Sequence, residues 1–299
     1  MFKRLLVPLD GSQLAESVLQ AVKRLAVILD SSITLLHVIE KRPPSSIHGD
    51  THLRDPNEAQ AYLAGIERQL KGSNLRVDVH VHTVPQGDVP KCIAEHACEL
   101  EQDLIVLCRH GAGGVRRFVF GSNAEQVLSH GTTPVLLIQS SEEGQAMPTG
   151  PERILALVDN TRGTKPALDA ARELATLASA QLDLLVVVPT LASMSAEQAA
   201  SGRLIPSATR EILELSTEDA VSWLRGEVNS LVGQHIATRG RVERGDAAAT
   251  VVHVAHETRS DLVILAVRGQ AGLSAFFAET ITSKIADSYD GAMLLIPRG

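Results

Sequence analysis

The sequence predicts an α/β protein of two doubly wound parallel-sheet domains with five strands each. Apolar segments of strand length alternate with segments of helical period along the chain, which is the pattern of a parallel sheet covered by helices on both faces. The second half repeats the first at fixed offsets, so one unit is used twice. In the first half a buried apolar run ends in a glycine loop, as at the ligand-binding edge of such sheets.

The first half is a succession of strands and helices. A short apolar strand ends at Pro8 and Asp10, and apolar residues then recur at helical spacing from Leu14 to Ala26. A loop rich in Pro, Ser and His follows the second strand, from Lys41 to Pro56. Loops of this length are typically functional or mobile. The predicted strands are 3–9, 33–39, 76–84, 104–108 and 134–138, and the predicted helices are 14–26, 57–70, 89–100 and one beginning at residue 122.

The repeat has two offsets. Residues 153–160 match 4–11 at an offset of 149, whereas Gly269 matches Gly111 at an offset of 158. Two fixed offsets over this length do not arise by chance. Their difference places a nine-residue insertion between the second and third strands of the second copy, around 189–231.

Two domains follow from the repeat, 1–140 and 152–299, with a polar linker between them. We expect them to pack as a pseudo-dimer through their last strands, 134–138 and 292–297, because an uncovered apolar edge strand invites pairing. Whether the chain also forms a homodimer stays open.

Composition excludes several classes of protein. The net charge of −7 and the lack of a long basic run argue against a nucleic-acid partner. No apolar stretch reaches the length of a membrane span, and the N-terminus lacks the core of a signal peptide, so we expect a cytoplasmic protein with no membrane partner. Cys92, Cys98 and Cys108 lack the spacing of a zinc motif or a disulfide framework.

The glycine loop has the features of a phosphate site. Gly111 lies just after the apolar run, and nine residues separate it from Gly121. Ser122 and Glu125 then form a capping box that opens a helix. The free N–H groups and positive dipole end at this helix start favour a bound phosphate. An ordinary glycine turn before a capped helix is the alternative interpretation.

These segments resemble the universal stress protein family in both halves, so the chain is similar to a tandem universal stress protein. The resemblance rests on Asp10 after the first strand, on the second strand, and on the glycine loop that leads into GSNAE. The ATP-binding members carry G-x-x-G, nine residues, then G and S or T. Here Cys108 stands at the first glycine position, and Gly111, Gly121 and Ser122 match the others.

The resemblance implies ATP or another adenine nucleotide as the cofactor, with or without Mg²⁺, and a regulatory role toward an unknown protein partner. Strands one and four become neighbours, so that Asp10 faces the glycine turn. Asp10 is then expected to bind the nucleoside, and the Val38 backbone the adenine edge. Pro8 and Leu9 are expected to line the part of the crevice that holds the base. The phosphate end is implied for Cys108, Arg109, His110, Gly111, Gly121, Ser122 and Asn123, with Arg116 and Arg117 nearby.

The second half keeps only part of the motif. Asp159, Gly269 and Thr280 are present, but Ala266 stands at the first glycine position and Glu279 replaces the glycine before the helix. A carboxylate at that point repels phosphate. We therefore expect one nucleotide per chain, in the first half.

Three functional alternatives remain open. The first is nucleotide binding for regulation; the second is a slow ATPase that uses the same crevice, with His110 as the one obvious base; the third is a nucleotide-free scaffold. The chain has no P-loop and no dinucleotide fingerprint, and we assign no catalytic residue.

Histidines do not indicate a metal site in the sequence. His80 and His82 share one face of the third strand, and His48 and His52 lie in the long loop. A metal would need carboxylate or thiolate partners that the neighbouring sequence does not supply. We predict no metal site, and exposed positions for these histidines.

Overall fold

The computed structural model describes residues 1–43, 46–47, 50–72, 75–109, 122–139, 150–193, 206–268 and 281–298. The strands are β1 Arg4–Pro8, β2 Ser32–Glu40, β3 Ser46–Ile47, β4 Asp50–Thr51, β5 Arg76–Gln86, β6 Leu104–Arg109, β7 Val135–Gln139, β8 Arg153–Leu157, β9 Gln181–Val188, β10 Thr238–Arg244, β11 Leu262–Arg268 and β12 Ala292–Arg298. The helices are α1 Gln13–Glu16, α2 Leu19–Leu29, α3 Pro56–Lys71, α4 Val89–Glu99, α5 Ser122–His130, α6 Lys165–Ala178, α7 Pro206–Gly233, α8 Ala247–Thr258 and α9 Ile281–Ser288.

The two halves share one sheet topology. The order is β5-β2-β1-β6-β7 in the first half and β10-β9-β8-β11-β12 in the second, and neighbours within each of these orders are parallel. The first and fourth strands of each half are therefore neighbours. The predicted α/β fold, with five parallel strands in each half, is confirmed.

The halves join through their last strands. β7 and β12 run antiparallel, with Leu136 opposite Leu294 at the centre of the pairing, so that one continuous ten-stranded sheet forms. The predicted pseudo-dimer is confirmed, and each half covers the apolar edge of the other.

Alternate strand residues enter two hydrophobic clusters. Leu5 and Val7 of β1 belong to the cluster that contains α2, α3, α6 and α7, whereas Leu6 belongs to the one that contains α4, α5, α8 and α9. Because successive strand residues point to opposite faces, the clusters lie on the two sides of the sheet. Each cluster includes residues of both halves.

Two elements differ from the sequence prediction. The predicted helix 14–26 is divided into α1 and α2, because the Ser17 hydroxyl donates to Leu14 O at 2.7 Å and competes locally with the helical pattern. The loop after β2 contains the short antiparallel hairpin β3–β4. In the second half, α7 has 28 residues against 16 in α3, so it takes up part of the predicted insertion.

No helix in the described ranges combines the length and the apolar character that crossing a membrane requires.

Candidate functional site

A crevice is expected where β1 and β6 lie side by side. Leu5 pairs with Leu104 and Leu6 with Ile105, so the carboxyl ends of both strands reach the same edge of the sheet. The chain leaves β1 toward β2 on one side, and β6 continues toward β7 on the other. This reversal of strand order is the point where doubly wound sheets bind ligands.

Asp10 stands at this edge, immediately beyond β1. Its Oδ1 accepts hydrogen bonds from the Ser12 backbone N–H at 2.9 Å and the Ser12 hydroxyl at 2.7 Å. The Ser12 hydroxyl oxygen in turn accepts from Ala15 N at 3.1 Å and caps α1. These bonds fix one oxygen of the carboxylate, and among the described residues no hydrogen bond to Oδ2 is present.

Leu9 and Pro8 differ in their exposure. Leu9 is buried in the core, its N–H donates to Leu36 O at 2.8 Å, and its carbonyl lies 2.7 Å from Nδ1 of His37. Pro8 is half-buried. The structure thus gives Leu9 a supporting position beneath the edge, and leaves Pro8 nearer the surface.

Val38 lies at an irregularity of β2. It pairs with His82 of β5, and the register shifts between Val38 and Glu40. Between these pairs one residue of β2 lies opposite three of β5, so the extra residues belong to β5. The role of the Val38 backbone toward an adenine edge stays a prediction.

The phosphate end is described in part. Ser122 and Asn123 begin α5, as predicted, and Glu125 lies in its first turn. Burial and the neighbouring Asp287 raise the pKa of Glu125. His110, Gly111, Gly121, Arg116 and Arg117 lie outside the described residues.

Arg109 forms hydrogen bonds to the second half. Its guanidinium is buried and donates to the carbonyl oxygens of Ala286, Tyr289 and Gly291, at the end of α9 and the start of β12. Burial lowers the pKa of Arg109, and Asp290 opposes that shift. The side chain therefore joins the two halves, and its expected contact with phosphate stays a prediction.

The loop after β2 covers the turn that carries Asp10. Asp50 of β4 accepts from Gln13 N, at the start of α1, at 2.9 Å. His52 is buried rather than exposed as predicted, with Nε2 3.1 Å from Oε1 of Glu40. His48 lies outside the described residues. The loop is therefore packed against the turn that follows β1.

The second half repeats the aspartate turn with different partners. Asp159 Oδ1 accepts from Thr161 N and from the Thr164 hydroxyl, both at 2.9 Å. Beside it lies a cavity of about 320 Å³ between α6 and α7, whose lining includes Lys165 and Trp223. Ala266 is in β11, and Gly269, Glu279 and Thr280 lie outside the described residues.

Sequence reasoning missed a cluster of histidines and a cysteine in the first half. His82, Cys92 and His96 each offer a metal-ligand atom within 4.8 Å of the others, and the His80 ring centroid lies 4.8 Å from that of His96. The thiolate partner comes from α4, ten residues along the chain. The signal was present as H-x-H on a strand, followed by C-x-x-x-H on one face of a helix.

The cluster is shielded from water. Cys92 and His96 are buried, while His80 and His82 are half-buried instead of exposed as predicted. Burial, reinforced by Glu95, Glu99 and Asp88, raises the pKa of Cys92 to about 11. Burial, followed by His96 and His82, lowers the pKa of His80.

Comparisons with known proteins follow the division of the chain into halves. The model of the Universal stress protein family matches residues 1–139 and 151–297. Universal stress protein Sll1654 of Synechocystis sp. is 32% identical over 139 residues, covering 46% of this chain and 86% of that protein. Universal stress protein MJ0577 of Methanocaldococcus jannaschii is 24% identical over 159 residues, covering 46% of this chain and 96% of that protein.

A solved structure matches both halves together. The crystal structure of a universal stress protein from Archaeoglobus fulgidus aligns with a TM-score of 0.73 at 16% identity, over 99% of this chain and 96% of that one. At this identity the likeness shows the fold.

Proposed function

Because the chain belongs to the universal stress protein family, with one unit in each half, we propose that its first domain binds ATP or another adenine nucleotide. The nucleotide lies in the crevice between β1 and β6. Bound and empty forms of the domain act as a regulatory module of the stress response in the cytoplasm, through a protein partner. A regulatory role of this kind requires affinity and a change in the protein on binding, and no chemistry.

The observation that carries the proposal is the fixed carboxylate of Asp10 at the point where the strand order reverses. Two hydrogen bonds from Ser12 hold Oδ1, which leaves the other oxygen for a ribose hydroxyl. The end of β2 at Val38 belongs to the strand next to β1, on the side away from β6, and its backbone is the proposed partner of the base. The start of α5 supports the phosphate end, since a helix N-terminus attracts anions.

One nucleotide per chain follows from the second half. The proposed obstacle is Glu279, which stands where the first half has Gly121. Two unit charges of like sign at ~4 Å repel by ~1 kcal/mol in water and by ~4 kcal/mol at an effective dielectric constant of 20. A micromolar complex has only about 8 kcal/mol of binding free energy, so several phosphate charges facing one carboxylate remove most of it.

Calorimetric titration of the full chain with ATP tests the proposal. We expect about one site per chain, and we expect Asp10→Ala to weaken binding by about tenfold or more, because a charge-assisted hydrogen bond contributes ~1.5–3 kcal/mol. Gly121→Val removes the space for the phosphates and abolishes binding. The matched control is Asp159→Ala, the same change in the second half, which leaves the affinity unchanged.

Three results contradict the proposal. They are a chain that shows no heat and no thermal shift with any adenine nucleotide, unchanged affinity in a correctly folded Gly121→Val protein, and loss of binding in Asp159→Ala alone. The first of these favours the nucleotide-free scaffold. Chromatography of nucleotide after long incubation with Mg²⁺ separates binding from slow hydrolysis.

A further inference from the structure

The cluster of His82, Cys92 and His96 lies between β5 and α4, away from the proposed crevice. In β5, His80 pairs with Leu36 and His82 with Val38, and both partners belong to the same hydrophobic cluster as Cys92. The strand histidines therefore point to the face that α4 covers.

The rings of His82 and His96 are oriented through their outer nitrogen atoms. His96 Nδ1 lies 3.0 Å from the carbonyl oxygen of Cys92, one turn earlier in α4, and donates its proton there. His96 Nε2 is thereby left with a lone pair. It faces His82 Nδ1 at 3.2 Å, and His82 Nε2 lies 2.8 Å from the side-chain amide of Gln86. Outer partners of this kind fix the tautomer of metal-binding histidines.

The spacing of the inner atoms matches a tetrahedral ion. Two nitrogens at about 2.05 Å from zinc lie about 3.4 Å apart at the tetrahedral angle, close to the 3.2 Å between His82 Nδ1 and His96 Nε2. A sulfur–nitrogen edge is about 3.6 Å in such a site; here Cys92 Sγ lies 3.8 Å from Nδ1 of the His96 ring, and the three residues offer ligand atoms within 4.8 Å of one another. Closing the site requires Cys92 Sγ to move toward the Nε2 side of the His96 ring, by rotation about its Cα–Cβ bond.

We infer that the first domain binds one transition-metal ion of the zinc class through His82 Nδ1, Cys92 Sγ and His96 Nε2. A set of imidazole and thiolate ligands selects such an ion over magnesium or calcium. On binding, the Cys92 thiol releases its proton to solvent. His82 moves its own proton to Nε2, where the amide oxygen of Gln86 accepts it once the amide turns over.

The fourth position falls to His80 or to water. The His80 ring centroid lies 4.8 Å from that of His96, which puts this ring beside the three ligands. A closed structural zinc site has four protein ligands, whereas three ligands and a water make an open one. The response of His80→Ala separates these arrangements.

The second domain provides an internal comparison. The strand residues that pair with Leu185 and Val187 there are Arg241 and Glu243, at the positions of His80 and His82. Arg241 forms ion pairs with Glu243 at 2.9 Å and with Glu257 of α8 at 2.7 Å. Each domain therefore links its third strand to the following helix, one through charges and the other through potential metal ligands. The expected stoichiometry is one ion per chain.

Titration of chelator-treated full-length protein with Co²⁺ tests the inference, because cobalt reports its ligands by absorption. We expect saturation at one Co²⁺ per chain, with the visible bands of a tetrahedral ion and a thiolate-to-cobalt charge-transfer band. Zn²⁺ then displaces the cobalt and raises the unfolding temperature. Cys92→Ser abolishes the charge-transfer band, and Gln86→Ala lowers the affinity by about 10- to 100-fold.

Matched controls use the other cysteines. Cys98→Ser alters an exposed thiol on the same helix, and Cys108→Ser alters the thiol at the end of β6; both keep the band. His82→Gln, with its fold checked by circular dichroism, provides a second loss variant should Cys92→Ser fail to fold. No cobalt uptake by the wild-type chain, a band that persists in Cys92→Ser, or a band lost in Cys98→Ser instead would overturn the assignment.

Discussion

At the scale of a single residue, Gly11 shows how backbone conformation and packing restrict the side chain at one position. It turns the chain from β1 into α1 with a φ of +90°, and a Cβ there would lie 2.8 Å from Cδ1 of Leu53. We expect Gly11→Ala to lower the free energy of unfolding by ~2 kcal/mol, since the left-handed region is strained for a side-chain residue and Leu53 must move. Urea unfolding measures the change.

Gly65 is the matched control for that substitution. It lies inside α3 with nothing within 4 Å of an added Cβ. Alanine there restricts the unfolded chain without strain, so we expect Gly65→Ala to raise the free energy of unfolding by ~0.5–1 kcal/mol. Equal changes in the free energy of unfolding for the two substitutions would show that backbone strain and the Leu53 contact at Gly11 do not affect stability.

The sequence predicted single residues well where local chemistry decides their position. Asp10 lies at the strand end because the strand, the turn and the cap at Ser12 are all encoded within a few residues. The contacts of Arg109 were not predictable, since its partners at Ala286 and beyond are more than 170 residues away and become neighbours only when the two halves pair. Cys92 was likewise not predicted as a metal ligand, because α4 and β5 become neighbours only in the folded structure.

At the scale of elements, strand and helix positions were predictable from hydrophobic period, and their ends less so. The helix 14–26 has an unbroken apolar pattern, yet hydrogen bonds of Ser17 divide it. The β3–β4 hairpin has two-residue strands that no period reveals. Its position depends on tertiary contacts, such as Asp50 with the start of α1.

Asp183 is a buried carboxylate in β9, where the equivalent residue of β2 is Thr34. Burial raises the pKa of Asp183, against the lowering effects of Gln181 and the neighbouring arginines. The folded state therefore holds the proton more tightly than the unfolded state. Stability is lost as pH rises from below the ordinary aspartate pKa of about 3.9 through the raised folded value.

We accordingly expect Asp183→Thr to be more stable than the wild type at neutral pH, with the advantage shrinking as pH falls through that window. Denaturant unfolding at several pH values measures the difference. Asp78→Thr, an exposed position of β5 that pairs with Thr34, is the matched control. An advantage for Asp183→Thr that stays the same at every pH would show that the buried charge is not its source.

At the scale of the whole molecule, the two halves are held by one sheet and by Arg109. The β7–β12 pairing is antiparallel and centred on Leu136 and Leu294, which are equivalent positions of the two units. Such a contact is nearly self-complementary, so another copy of the first domain can take the place of the second domain. The carbonyl oxygens that Arg109 binds belong to the backbone, and the end of α5 offers equivalent ones.

We therefore expect residues 1–140, produced alone, to form a dimer through β7 paired with its own copy. Relatives such as Sll1654 match a single half over 86% of their own length, which supports folding of one unit by itself.

Leu136→Lys places a charge at the centre of the buried pairing and is expected to give a monomer. Val84→Lys, at an exposed site on the opposite edge strand, leaves the dimer intact. Light scattering after size exclusion measures the mass of each. A wild-type fragment that stays monomeric at high concentration would mean that pairing in the full chain depends on contacts particular to β12 and α9, and that an exposed β7 is protected by some other means.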